Sequence, residues 1–388
     1  MKKNYDVIVI GAGSVGQPTT FFLAEKGLKV LCIDQYASSG QGQNKASIGG
    51  IRATHSDPAK IMIGKLSREI FSNWKEKHNE NIGWKKGGYC FPVFREEEEK
   101  LLKNILPIQK QYGLNIDWVD ADLMRKLIPG INPENLRGGT FSPDDGQISP
   151  LLTAEAIEGA SVLLGAEFKF NSKIIDLVTE NGKVLGVKTE KETIFAGAVV
   201  NTAGANGMEV SKMAGIDIPI IPDSHEAGIS APVGNFLDPL VVDLRPGSEG
   251  KTSNFYFGQN HEGAIIFCYT PKHLFKGKDR RVTSEFMPVI AKRLVSLIPK
   301  FKNLRIRRLW RGLYPMTPDG VAIVGKPEEV DNFYLGVGMC GQGLMMGPGV
   351  GKNLAELIAA GKPLIDQKVF NTLSPNRDFY AGKTESLK

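Results

Sequence analysis

The chain has 388 residues and carries 48 Lys and Arg against 42 Asp and Glu, a net charge of +6. Its 41 % hydrophobic and 23 % charged residues are ordinary globular composition, which excludes a disordered chain and leaves room for two or three domains. The small positive excess argues against nucleic-acid binding, no apolar run is long enough for a transmembrane helix, and glycine is abundant at 44 while cysteine is scarce at 4.

Residues 6–10, DVIVI, form a β-branched run of the kind that makes a buried parallel strand. The start of the chain mimics a signal peptide, but its apolar stretch is short, and cleavage after it would destroy the motif that follows. That motif is Gly11-Ala-Gly13-Ser14-Val15-Gly16, followed by a helix over 17–26 that stops at Gly27. Leu28 to Ile33 make a second strand ending at Asp34, completing a βαβ unit. A Gly-, Ser-, Gln- and Asn-rich loop spans 37–50, and Asp57-Pro58 reads as an N-cap with Pro at the first helical position. A strand is expected over 87–95, then a helix whose acidic start, Glu96 to Glu99, suits a solvated N-terminus.

A further helix is expected over 150–164, and 171–204 alternates short strands with turns such as Asn181-Gly182. From His225 to Thr270, apolar runs separated by turn residues predict an antiparallel sheet. A helix over about 283–298, a strand over 304–316 and a glycine-rich loop running into a last helix (338–361) complete the chain, with Pro348 at N1 of that helix. Parallel-sheet pieces at both ends, with a meander between them, predict two interleaved domains. Cys32, Cys90, Cys268 and Cys340 are dispersed, without a CxxC spacing. No metal site or disulfide framework is expected, and the reading favours a reducing, cytoplasmic setting, peripheral to a membrane at most.

The strand, glycine turn and helix, answered by an acid at the end of the next strand, predict a dinucleotide site. Gly11 makes the tight turn, Gly13 lets backbone approach a pyrophosphate, and Gly16 lets helix and strand pack closely. Asp34, with Gln35 beside it, is placed to accept from ribose hydroxyls, which suits FAD or NAD rather than a 2′-phosphorylated cofactor. The second glycine cluster, Gly336 to Gly351, favours FAD, because backbone N–H groups opening a helix suit the negative charge of a reduced flavin.

VIVIGAGSVG (7–16), GGIR (49–52), DDGQISP (144–150), VVNTAGA (199–205), WRGLYPMTPDGVAIVG (310–325) and GQGLMMGPGVG (341–351) together resemble the FAD-dependent D-amino acid oxidase superfamily, which includes glycine oxidase and sarcosine oxidase. The resemblance covers nearly the whole chain. It is strongest to the branch with the β subunits of heteromeric sarcosine oxidases and dye-linked L-proline dehydrogenases. It implies an α/β fold: a Rossmann-like FAD-binding domain (1–85, 141–218 and 318–388) interleaved with an α+β substrate domain (86–140 and 219–317) on a large antiparallel or mixed sheet. Flavin contacts are expected at Gln43, Asn44, Ser47, Ile48, Gly49 and Gly50, and at Ile174, Ala203 and Gly204. Gly312, Leu313, Gly341, Gln342, Gly343, Leu344 and Met345 complete the set.

The chain departs from the family pattern. Tyr314 stands where glycine oxidase-like members carry a carboxylate-binding Arg, and Met345 where sarcosine oxidases place a Lys. Ile266 matches the oxygen-activating Lys, which favours a dehydrogenase. Gly312 and Gln147 or Ile148 match the positions of covalent flavin attachment, so a non-covalent FAD is expected, with FMN only at a subunit interface. The implied reaction is hydride transfer from the carbon beside the nitrogen of a glycine-, sarcosine- or proline-type substrate. Arg52, His55, His225, Tyr256 and Tyr314 are the candidate catalytic residues, against the plain alternatives of structural arginine, strand histidine and core aromatic. Trp310 and Cys340 read as packing. Two alternatives stay open: an electron-transferring subunit of a hetero-oligomer, and a hydroxyl-substrate flavoenzyme of the glycerol 3-phosphate type. The electron acceptor is oxygen or a partner or dye-type acceptor.

Overall fold

The computed structural model describes residues 4–381 and Leu387. Two eight-stranded sheets organise the chain. The first is built outward from Tyr5–Ile10, whose last four residues are fully buried. It pairs in parallel with Val30–Ile33 on one side and with Thr193–Asn201 on the other. Thr193–Asn201 pairs in parallel with Phe333–Val337, so the end of the chain joins the sheet begun at its start. The hairpin of Ile174–Glu180 and Lys183–Thr189 hangs from Thr193–Asn201 and turns at Asn181-Gly182, both with positive φ.

Helices Gly16–Glu25, Pro58–Ser72 and Gly343–Ala360 share one buried core with this sheet. Asp57 caps the second of them, its side chain accepting from the Lys60 N–H, with Pro58 at the first helical position as the sequence predicts. The last long helix departs from expectation. It begins at Gly343, so Pro348 lies inside it rather than at its start. Gly347 and Gly351 are not loop residues either. A Cβ at Gly347 would lie 1.8 Å from the Ser14 carbonyl oxygen, because this helix rests directly on the glycine turn and first helix.

The second sheet runs in the order Ile306–Met316, Ile221–Pro232, Ala264–Pro271, Thr252–Gln259, Leu240–Asp243, Tyr89–Val93, Gly138–Ser142, Asp117–Val119. It is antiparallel except where Leu240–Asp243 meets Tyr89–Val93 in parallel. Strand alternation divides its faces. Phe255, Phe257, Ile265 and Phe267 turn to a core shared with helix Phe286–Leu297. Tyr256 and Cys268, each next in sequence to one of these residues, turn to the opposite side and line a cavity. The acidic helix start over 96–99 is not wholly solvated: Glu98 is 5 % exposed and accepts from the Arg95 main-chain N–H and guanidinium.

Candidate active site

A cavity of about 740 Å³ lies between the two sheets. At one end it is lined by Gly11, Gly13, Ser14, Val15, Asp34 and Gln35. Gln43, Asn44, Ser47, Ile48 and Gly50 follow from the loop, Ile174, Ala203 and Gly204 from the first sheet's rim, and Gly312 and Leu313 from the cover. Gly341, Gln342, Gly343, Leu344 and Met345 reach it from the start of the last long helix. Two residues expected among the contacts do not line it. Gly16 is a packing position, where a Cβ would lie 1.8 Å from the Gly11 carbonyl oxygen. Gly49 is packed against Ile148.

The glycine turn has the expected form. A Cβ at Gly13 would meet nothing within 4 Å, which leaves the cavity open where a phosphate must approach backbone. Asp34 also braces the turn: Oδ2 accepts from the Ala12 N–H at 2.7 Å and Oδ1 from the Tyr36 N–H at 2.8 Å. Burial pushes the Asp34 carboxyl pKa up, against these main-chain hydrogen bonds. Helices Gly16–Glu25 and Gly343–Ala360 both open beside the cavity, and their unsatisfied N–H groups favour negative charge. Asn44 Oδ1 and Gln342 Oε1 are buried on the cavity wall without a partner. Such orphaned acceptors, the open face of Gly13 and the paired helix starts fit a long cofactor with phosphates at one end and donor edges at the other.

The far end of the cavity is built on the covering sheet. The Tyr256 and Tyr314 hydroxyls are 3.0 Å apart. The Tyr314 ring stacks on His225, with centroids 3.8 Å apart and planes at 24°. Gly341 packs under Tyr314: its φ is +81°, and a Cβ there would lie 1.9 Å from the ring. Burial pushes both tyrosine pKa values up, so both stay neutral donors. Asp223 Oδ2 lies 3.6 Å from His225 Nε2, while Oδ1 accepts from the Phe275 N–H at 2.6 Å. Burial pushes the Asp223 pKa up, but the His225 ring beside it and the main-chain N–H groups of Ser224 and Phe275 outweigh it and hold it below the usual carboxylate range. Burial raises the Cys268 thiol to about 12.

Arg52 is 6 % exposed and lines this end. One terminal nitrogen donates to the Thr54 carbonyl and the other to the Leu387 carbonyl at 2.7 Å. Its loop is held by Asp145, whose Oδ1 accepts from the Ala53 N–H and from Arg68. His55, expected at the site, lies outside the cavity. It is fully buried, does not line the cavity, and neither ring nitrogen has a hydrogen-bond partner. Burial, then Arg52 and Lys60, push its pKa well below the usual value, so it stays neutral. Its side chain cannot serve as a proton acceptor in the cavity.

Sequence reading missed Asp223, Cys268, Tyr89, Leu240 and Val242, all of which line the cavity. Asp223 carried a signal: it stands two residues before His225, on the same face of a strand whose polar residues are buried. The others sit in strands with no motif. Cys340 lines the cavity with φ +48°, and Trp310 braces the cofactor loop through Nε1 to the Ala46 carbonyl at 2.8 Å. Among the described residues no helix is long and apolar enough to cross a membrane.

A glycine turn on a parallel strand, two helix starts and a sheet-covered cavity define a flavin-dependent oxidoreductase. Residues 6–357 match the family model for FAD dependent oxidoreductases (DAO), and the chain belongs to that family. It is 24 % identical to the sarcosine oxidase subunit beta of Rhizobium meliloti (strain 1021), over 93 % of this chain and 86 % of that protein. The crystal structure of L-proline dehydrogenase from P. horikoshii superposes with a TM-score of 0.91 at 29 % identity, covering 99 % of this chain and 100 % of that one. Glycine oxidase from Geobacillus kaustophilus shares the fold, with a TM-score of 0.85 at 21 % identity, over 96 % of this chain and 99 % of that one.

Proposed function

We propose that the chain is an FAD-dependent dehydrogenase of small amino acids or secondary amines of the glycine, sarcosine or proline type, with a non-covalent flavin. The observation that carries this reading is one cavity wall bearing a buried guanidinium, Arg52, beside the apolar and hydroxyl-bearing side chains of Tyr89, Leu240, Val242, Tyr256 and Tyr314. A guanidinium suits a substrate carboxylate, and the apolar wall suits a short carbon chain or ring. When bound, the flavin supplies a two-electron acceptor for the C–H bond beside the amine nitrogen. Tyr256 and Tyr314, both neutral, orient the substrate as a hydrogen-bonded pair that offers it one donor and one acceptor. His225, backed by Asp223, takes the ammonium proton so that the substrate reacts as the free amine. The covering sheet closes one side of the cavity.

The similarity to L-proline dehydrogenase and to a sarcosine oxidase subunit beta supports this substrate class. Ile266 stands at the position that the family resemblance matches to an oxygen-activating lysine but does not line the cavity, so electron delivery to an acceptor other than oxygen is supported by the similarity to L-proline dehydrogenase. The name of the bacterial relative also favours a second reading, in which the chain works as the flavin-bearing subunit of a hetero-oligomer. We assign cofactor binding to 1–85, 141–218 and 318–388, and substrate covering to 86–140 and 219–317. The grouping of strands into two sheets supports this division, although strand Gly138–Ser142 of the second sheet crosses the boundary at 140/141.

The test is turnover of FAD-loaded protein with glycine, sarcosine and L-proline, once with oxygen and once with an artificial dye. Dye reduction without peroxide supports the proposal. Rapid peroxide formation overturns the dehydrogenase assignment, and inertness toward all three amines overturns the substrate class.

A further inference from the structure

Leu387 lies far along the chain from every motif of the site, yet it is 1 % exposed. Its side chain belongs to one buried apolar cluster with Tyr89, Leu240 and Val242, three residues that also line the cavity. Its main-chain carbonyl accepts from Arg52 Nη2 at 2.7 Å. The opposite terminal nitrogen of Arg52 donates to the Thr54 carbonyl. A guanidinium held at both terminal nitrogens has its plane fixed, and its remaining N–H groups are the ones free to meet a ligand. The Thr54 contact is local, two residues away. The Leu387 contact comes from another part of the chain, at a residue whose side chain is seated in this cluster.

We propose that Leu387 is a positioning residue for Arg52: its side chain anchors the carbonyl that aims the guanidinium at the carboxylate of the bound substrate. This rests on the reading that Arg52 meets a substrate carboxylate. The consequence is selectivity. Unseating Leu387 weakens recognition of carboxylate-bearing molecules through Arg52 and leaves carboxylate-free ones of the same size unaffected. A purely structural role would weaken both alike.

The experiment uses the FAD-loaded full chain, with benzoate and benzamide as probes followed by perturbation of the flavin absorption spectrum. Leu387→Ala is compared with Leu387→Met, which keeps the side-chain volume, and with Leu387→Ala in an Arg52→Met background. The expected result is a benzoate Kd raised about tenfold by Leu387→Ala, benzamide binding unchanged, recovery in Leu387→Met, and no further loss in the Arg52→Met background. With turnover as a second readout, KM for L-proline rises while kcat holds, and pyrrolidine is unaffected. Equal weakening of benzoate and benzamide overturns the proposal, as does full benzoate affinity in Leu387→Ala or the same loss with and without Arg52. Because benzoate binding needs no turnover, coupling without amine oxidation would sink the substrate assignment alone. Amine oxidation without coupling would sink the role of Leu387 alone.

Discussion

The hydroxyls of Tyr256 and Tyr314 lie 3.0 Å apart, joining two strands of the covering sheet that are not neighbours in it. Each hydroxyl fixes the other, so the two present one donor and one acceptor to the cavity as a unit. Tyr314→Phe keeps the stack on His225 and removes the hydroxyl. We expect KM for an amine substrate to rise about tenfold, the loss of one buried hydrogen bond. Tyr256→Phe should behave alike, and the double variant should be little worse than either single one. Steady-state kinetics on the three proteins checks this, and full additivity would contradict it.

Arg52 is buried, and both of its terminal nitrogens are engaged by main-chain carbonyls. Arg52→Met should raise KM for sarcosine or L-proline by about a hundredfold, the scale of a lost charge-assisted hydrogen bond. Arg52→Lys should recover only part, since an ammonium cannot reproduce the planar fork. Equal KM values for Arg52→Met and the unmodified protein would remove Arg52 from substrate binding.

Gly16 tolerates no side chain, because a Cβ would lie 1.8 Å from the Gly11 carbonyl oxygen. Gly16→Ala must push the first helix off the glycine turn, at about 1–3 kcal/mol. Purified Gly16→Ala protein should carry little FAD and melt at lower temperature. Flavin absorbance per mole of purified protein, together with a melting curve, decides it.

His55 gives a pH signature. Its pKa is pushed well below 6.5 by burial, then by Arg52 and Lys60. Below pH 6.5 the unfolded chain binds a proton that the folded protein refuses, so stability falls with pH. The contribution is fully present above that value and is lost as pH falls toward the folded pKa. His55→Leu removes it. Urea unfolding at descending pH should show the unmodified protein losing up to about 1.4 kcal/mol per pH unit more than the variant. Parallel stability curves would contradict a neutral, buried His55.

The cofactor half of the site was legible because it rests on local backbone rules. The turn from Gly11 to Gly16 and the acid at Asp34 lie within one βαβ unit, where spacing determines contact. The substrate half was legible only in part. His225, Tyr256 and Tyr314 stood out by residue type, but their meeting depends on the register of Ile221–Pro232 against Ile306–Met316, which no local pattern encodes. His55 misled because it follows Arg52 closely, but the chain turns tightly between them, the His55 N–H donating to the Ala53 carbonyl, and the whole stretch is buried, so nearness in sequence does not bring both side chains to the cavity. Pro348 misled because proline favours a helix start, whereas glycine-mediated packing on the first helix carries this helix past it.

The cavity is proposed to oxidise a carbon bearing an amine. Anaerobic titration of the FAD-loaded protein with sarcosine, L-proline, glycine and glycerol 3-phosphate tests it most directly. At least one amine is expected to bleach the flavin absorbance stoichiometrically, and glycerol 3-phosphate is expected to leave it unchanged. Bleaching by glycerol 3-phosphate and by none of the amines would contradict it.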